Sequence, residues 1–367
     1  MSCDFMALAT PGVQGLHPYE AGKPVEELER ELGISNIVKL ASNENPLGPS
    51  GRAMAAAQAA LADATRYPDS NGFGLKRALQ RHYGLAANQL TLGNGSNDVL
   101  ELIARAFLNP GDEVVFSEYA FAVYPIVTQA CSATAVVTPA RDYGHNLQAM
   151  AEAITERTRL LFIANPNNPT GTALMRDELV AFLDTVPEQV IVVLDEAYTE
   201  YVDQADFPDG LELLPRYPNL IVTRTFSKAW GLAGLRVGFA AANPVITDLL
   251  NRVRQPFNVS HLALAAAEAV LADSDYLQRS VELNRAGMQQ LEEGLKLQGL
   301  GFIPSFGNFI TVDVARPAQP VFEALLREGV IVRPLGPYRM PQHLRISIGL
   351  PEENDRFLRA LRQVLAC

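Results

Sequence analysis

The chain has 367 residues, of which 48% are hydrophobic and 19% charged, and its formal net charge is −11. That length exceeds one ordinary core and implies two domains, or a large domain with a smaller one, and the composition argues against disorder. The acidic balance argues against a duplex-binding protein, which needs a basic footprint, while leaving room for local sites that take small anions.

Cys3, Cys131 and Cys367 are odd in number and widely spaced, so neither a disulfide framework nor a zinc site is expected and a reducing cytosol fits. Met1 to Pro11 lacks the basic start of a secretory signal, and no apolar run approaches the roughly 20 residues that span a bilayer. The histidines, His17, His82, His145, His261 and His343, are scattered without ligand spacing, so no metal is expected. The expected partners are small molecules rather than nucleic acid or membrane, and the expected location is cytoplasmic.

In chain order, Ser96 to Leu108 carries Val99, Leu100, Ile103, Ala104 and Phe107 at helical spacing. Short continuous apolar runs follow at Val114–Phe116, Leu160–Ala164, Val190–Leu194 and Leu220–Thr223. Strands covered on both faces read this way, as in a parallel sheet flanked by helices. Helical stretches lie between and after them at Asp177–Asp184 and Asn243–Arg254, the second with Pro244 just inside its start. These elements predict an α/β domain over 31–255. The remainder, 1–30 and 256–367, predicts a smaller α+β domain joined by the N-terminal segment. It holds a long helix from His261 to Leu297, strands at Phe309–Asp313, Val330–Val332 and His343–Ile348, and helices near Val321–Glu328 and Glu352–Leu365.

Four loops carry unusual polar residues, and in an open α/β sheet ligands bind beyond the carboxyl ends of the strands. Thr91 to Asp98, with Gly93, Gly95, Ser96 and Asn97, leads into a helix; it either cradles a phosphate or only caps the helix. It fails the dinucleotide glycine pattern and lacks a P-loop lysine. Asn165 to Gly171 is either a rigid polar loop with Asn168 facing a ligand or a plain turn. Asp195, at the end of a buried strand, needs a cationic partner, which is either a protonated ring nitrogen or a neighbouring arginine. Tyr198 follows it. In Thr225 to Arg236, Lys228 lies among small and apolar residues with Thr225, Ser227 and Arg236 as anion donors; burial would make it a nucleophile, and exposure would leave it an ordinary surface lysine.

The four loops, in this order, resemble the fold-type-I enzymes that depend on pyridoxal 5'-phosphate. The resemblance is to their class-II aminotransferase branch, which includes histidinol-phosphate aminotransferase, and it runs from Leu40–Pro46 to Leu344–Gly349. It implies a mostly parallel central sheet flanked by helices, with a smaller α+β domain. It also implies that Lys228 is the Schiff-base lysine, that Asp195 partners the pyridine nitrogen, and that Tyr198 and Asn168 donate to the ring oxygen. Gly95, Ser96, Asn97, Thr225, Ser227 and Arg236 match the phosphate cup, and Tyr119 the aromatic stacked on the ring. Tyr67 matches the tyrosine that reaches a neighbouring subunit's phosphate, which implies a homodimer, and Arg345 the grip on the substrate carboxylate.

The implied reaction is a ping-pong transamination between histidinol phosphate and 2-oxoglutarate in histidine biosynthesis. Arg333 and Arg345, with Tyr19, Asn45 and Asn308, are the candidate substrate contacts. Transamination of phenylalanine or tyrosine is the alternative on the same frame, and a decarboxylase that uses the same cofactor is a further one.

Overall fold

The structure, a computed structural model, describes residues 3–18 and 22–366. Its principal sheet has seven strands. In spatial order they are Leu90–Gly93, Gly238–Ala242, Leu220–Thr225, Ile191–Asp195, Thr158–Ala164, Glu113–Ser117 and Thr134–Thr138. Neighbours are parallel except Gly238–Ala242, which runs antiparallel to both strands beside it. Val193, Leu161, Phe162, Ile221 and Val222 are fully buried, as strands covered by helices on both faces require. The register sets Ala164 opposite Asp195 and Asp195 opposite Thr223, so three parallel strands end together on one edge of the sheet.

A second, antiparallel sheet has four strands in the order Arg333–Pro334, His343–Ser347, Phe309–Asp313 and Gly301–Ile303. The helices Ser274–Leu297, Ala318–Arg327 and Pro351–Leu365 pack on it around Leu291, Val312, Leu344, Ile346, Phe357 and Leu361. The architecture is the α/β one expected, a large mostly parallel sheet with helices on both sides and a smaller α+β part.

The cores do not divide at 31 and 255. Val38 and Leu40 belong to the small core, where Val38–Lys39 pairs in parallel with Val330–Ile331. The helix His261–Val270 instead lays Ala263, Ala266 and Ala267 into the large core, where Ala53 and Ala57 of the helix Gly51–Ala60 also lie. The run expected as one helix from His261 to Leu297 is two. Asp273 breaks it by capping the second, its carboxylate accepting from the Tyr276 amide at 3.3 Å and from the Ser50 hydroxyl. Among the described residues, no helix is long and apolar enough to cross a membrane.

Candidate active site

A cavity of about 520 Å³ lies between the strand-end edge of the large sheet and the small sheet. Asp195 and Thr225 reach it from the ends of two central strands, Tyr198, Ser227 and Lys228 from the loops after them, and Ser96 and Asn97 from a helix start. Ala41 to Glu44, Arg333 and Arg345 form the facing wall.

Lys228 projects inward and donates to the Ser42 carbonyl at 3.2 Å. Burial pushes its pKa down from 10.5 to about 8, and the nearby guanidinium of Arg345 pushes the same way. Glu44, Arg236 and Asp195 add smaller, partly opposing fields. An amine with its pKa lowered to about 8 reaches its neutral, nucleophilic form at a pH well below that of an ordinary lysine.

Asp195 is 4% exposed and accepts one hydrogen bond on each oxygen, from the Tyr124 hydroxyl and the Thr223 hydroxyl, both at 2.9 Å. Burial raises its pKa, and those two donors only partly offset it. Among the described residues no arginine or lysine pairs with it within salt-bridge distance, and the arginine in this part of the sheet, Arg224, is engaged by its neighbour Glu196. A carboxylate buried at the floor of a cavity in this way fits a cationic nitrogen on a ligand.

Tyr198 is buried, and its hydroxyl accepts from the Asn43 amide at 3.0 Å, which leaves its own hydrogen to donate. Burial, opposed by Arg345, lifts its pKa to about 12, so it stays protonated. Asn43 is fixed in turn by Ser347, which accepts from the Asn43 backbone N–H at 2.7 Å and donates to Oδ1 at 3.1 Å. Arg345 donates to Asn168 Oδ1 at 2.5 Å and to the Ala41 carbonyl at 2.7 Å, which ties the small sheet to the polar loop. Because Asn168 Oδ1 is taken, its amide N–H groups are what it offers a ligand.

Anion donors gather at the other end. The helix Ser96–Phe107 starts from Gly95 with no capping side chain, so the cap-only reading of Ser96 does not hold. Arg236 Nη1 donates to the Ser227 hydroxyl at 3.2 Å, and the Ser227 amide donates to the Thr225 hydroxyl at 3.1 Å. Gly95 has φ +84°, and a Cβ there would lie 2.4 Å from Arg236 Nη2, so only glycine lets the arginine close over the helix start. A pyridine ring bearing a phosphate, an aldehyde and a phenolic oxygen fits this donor set: carboxylate below, amine beside, hydroxyl and amide donors at the rim, and an anion cup. Among the described residues, no group of three or more histidine, cysteine or acidic side chains could hold a metal ion.

Several sequence candidates lie outside the cavity lining. Tyr119 packs beside Tyr143, ring centroids 5.8 Å apart, while Phe121 lines the cavity. Asn45 donates to the Ala229 carbonyl at 3.0 Å and to Ser280 at 2.8 Å, which steadies the lysine loop from behind. Asn308 donates to the Asn43 carbonyl at 3.0 Å. Tyr67 is 78% exposed and stacked on Phe257 at 4.6 Å. Tyr19 falls outside the described residues. Tyr124, Thr223, Asn43, Ser42 and Phe121 are site residues that sequence reasoning missed. The Thr223–Thr225 alternation in a buried strand was a usable signal, since both point to one face.

The chain matches the family model described as aminotransferase class I and II over residues 35–361. It is 64% identical to histidinol-phosphate aminotransferase 2 of Pseudomonas fluorescens, with 100% of each chain covered. It is 62% identical to the protein of that name from Pseudomonas aeruginosa, with 99% of each covered. The crystal structure of histidinol-phosphate aminotransferase from Sinorhizobium meliloti in complex with pyridoxal-5'-phosphate superposes with a TM-score of 0.90 at 31% identity, covering 97% of both chains. An aspartate aminotransferase from Thermus thermophilus with maleate, 23% identical over 97% of this chain and 99% of its own, shares the fold at a TM-score of 0.83.

Proposed function

The chain belongs to the class I and II aminotransferase family, and on that premise we propose that it exchanges an amino group between histidinol phosphate and 2-oxoglutarate in histidine biosynthesis, with pyridoxal 5'-phosphate as carrier. The observation that carries the reading is one buried amine, Lys228, in a cavity with a buried carboxylate, Asp195, on one side and two arginines, Arg333 and Arg345, on the other. The relatives that match end to end bear this activity in their names.

When bound, the cofactor supplies an aldehyde that takes up the amino group and a ring that withdraws electrons from it. Ser96, Asn97, Thr225, Ser227 and Arg236 hold its phosphate, with Gly95 giving the close approach. Asp195 keeps a proton on the ring nitrogen, while Tyr198 and Asn168 donate to the ring oxygen. Phe121 supplies the apolar face. Lys228 Nζ would hold the aldehyde carbon of the cofactor and, when free, would accept the proton from the carbon that bears the amino group. Arg345 and Arg333 receive the donor's anionic group, a phosphate for histidinol phosphate and a carboxylate for glutamate.

The exposed ring of Tyr67 supports a homodimer in which it reaches the phosphate of a neighbouring subunit. A cytoplasmic location goes with the same reading. Coupled assays with histidinol phosphate or phenylalanine as donor, each with 2-oxoglutarate, test the substrate. Glutamate should form faster from histidinol phosphate, and no glutamate from it would end this assignment.

A further inference from the structure

Behind the cavity, on the far side of the strand ends, lies a buried charged cluster that the reaction does not use. Arg224 forks onto Glu196 Oε2 through Nε at 2.9 Å and Nη2 at 2.7 Å, and Nη2 also reaches Asp209 at 2.7 Å. Glu196 is 0% exposed and Arg224 4%. The other Glu196 oxygen accepts from the Gly210 amide at 2.7 Å, and the guanidinium lies over the Tyr83 ring at 5.0 Å. Trp230 Nε1 donates to Glu200, a further buried carboxylate within the field of Arg224.

Four of its members lie within two residues of a cavity residue in the chain. Glu196 follows Asp195. Arg224 stands between Thr223, which bonds Asp195, and Thr225 of the anion cup. Glu200 is two residues after Tyr198, and Trp230 two after Lys228. Successive strand residues face opposite ways, so a clamp on the far face fixes what the near face presents. A hydrophobic pair would cover the same area without fixing register, whereas two guanidinium nitrogens closing on one carboxylate oxygen, with the other oxygen held by the Gly210 amide, set both distance and angle.

We propose that Arg224 is a positioning residue, locking the ends of the strands Ile191–Asp195 and Leu220–Thr225 through Glu196 so that Asp195 is held against the ring nitrogen of the cofactor. This rests on the reading that Asp195 and Lys228 face that cofactor. A displaced Asp195 supports the ring's positive charge less well, and the group on Lys228 then holds its proton to higher pH.

The test compares Arg224→Met, Arg224→Lys and Glu196→Gln with the parent protein, each loaded with pyridoxal 5'-phosphate. The readouts are the pH midpoint of the visible absorbance, the cofactor dissociation constant and the split between kcat and KM. Arg224→Met should raise the midpoint by about one pH unit. It should also lower kcat about tenfold while KM stays within about threefold. Arg224→Lys, which can serve one carboxylate at a time, should fall between. Arg224→Met leaves buried carboxylates without their cation, so if it does not fold, Glu196→Gln carries the test with the same expected direction. Variants that melt earlier but keep the parent midpoint and kcat would make the cluster merely structural and overturn the inference. If the parent itself gains no visible absorbance, the underlying cofactor reading fails instead.

Discussion

The two walls of the cavity are built differently. The large-sheet wall draws Asp195, Thr223, Thr225, Ser227 and Lys228 from adjacent strand ends and the loops that leave them, with the four other than Lys228 below 8% exposure and bonded to one another or to the Tyr124 hydroxyl of a helix packed on the sheet. The facing wall comes from the small core, and Arg345 reaches from it across a seam, held by Asn168 on one side and by Ala41 on the other. Parallel strand ends give fixed geometry to groups that do chemistry, and a seam between two cores gives a wall whose anion contacts set which substrate is held. The first wall should therefore govern turnover, and the second should govern which donor is used.

The largest break in that contrast is Lys228→Arg, which keeps a charge and loses both the anchor and the proton carrier. Turnover should fall by roughly a thousandfold or more with every donor. Borohydride reduction followed by peptide mass analysis should find the cofactor on this peptide in the parent and not in the variant. Arg345→Leu comes next. It removes a charge-assisted contact to substrate and strips Asn168 Oδ1 and the Ala41 carbonyl of their partner, so kcat/KM should fall about a hundredfold, chiefly through KM. A loss confined to kcat would place Arg345 with the chemistry and erase the distinction between the walls.

The same contrast decided what the sequence disclosed. Runs such as Val190–Leu194 are continuous and β-branched because those strands are covered on both faces, so the sheet and its four polar loops were visible. Leu90–Gly93, Gly238–Ala242 and the edge strand Thr134–Thr138 were not: the last is largely exposed, and in Gly238–Ala242 small residues yield to close packing, where a Cβ on Gly238 would come 2.7 Å from the Ser96 amide. Lys228 and Asp195 stood out because a charge beside a buried strand has few structural excuses. Tyr124 and Asn43 did not. Tyr124 sits at a helical position like any core tyrosine, and only the fold brings its hydroxyl to Asp195 across 71 residues. Asn43 meets Tyr198 from the other core. The helix His261–Val270 was assigned to the small domain because it follows the large one in sequence, yet its alanine face belongs in the large core with Ala53 and Ala57.

A pH profile sharpens the first wall. In the cofactor-free protein, Lys228 should capture pyridoxal 5'-phosphate faster as pH rises and level off above about 8, whereas an ordinary lysine would keep gaining toward 10.5. The sign follows from burial, which disfavours the charged amine and makes the neutral, nucleophilic form available at lower pH. Stopped-flow absorbance across this range reads it directly, and a rate still climbing at the ordinary lysine value would show that the amine is not desolvated.

The smallest expected effect separates two aromatic residues two positions apart in the loop after the strand Glu113–Ser117. Tyr119 packs against Tyr143 and gives its backbone carbonyl to Asn167 at 3.0 Å, while Phe121 presents its ring to the cavity. Phe121→Ala removes an aromatic face from a planar ligand and should weaken cofactor binding about tenfold, within the range for one stacked ring. Tyr119→Phe keeps the ring and the backbone bond and loses a hydroxyl outside the cavity lining, so its effect should stay below about twofold. Fluorescence titration of the two cofactor-free variants orders them. The reverse order would mean that the loop from Ser117 to Ala122 rearranges when the ligand enters, and the stacking role would then pass to Tyr119.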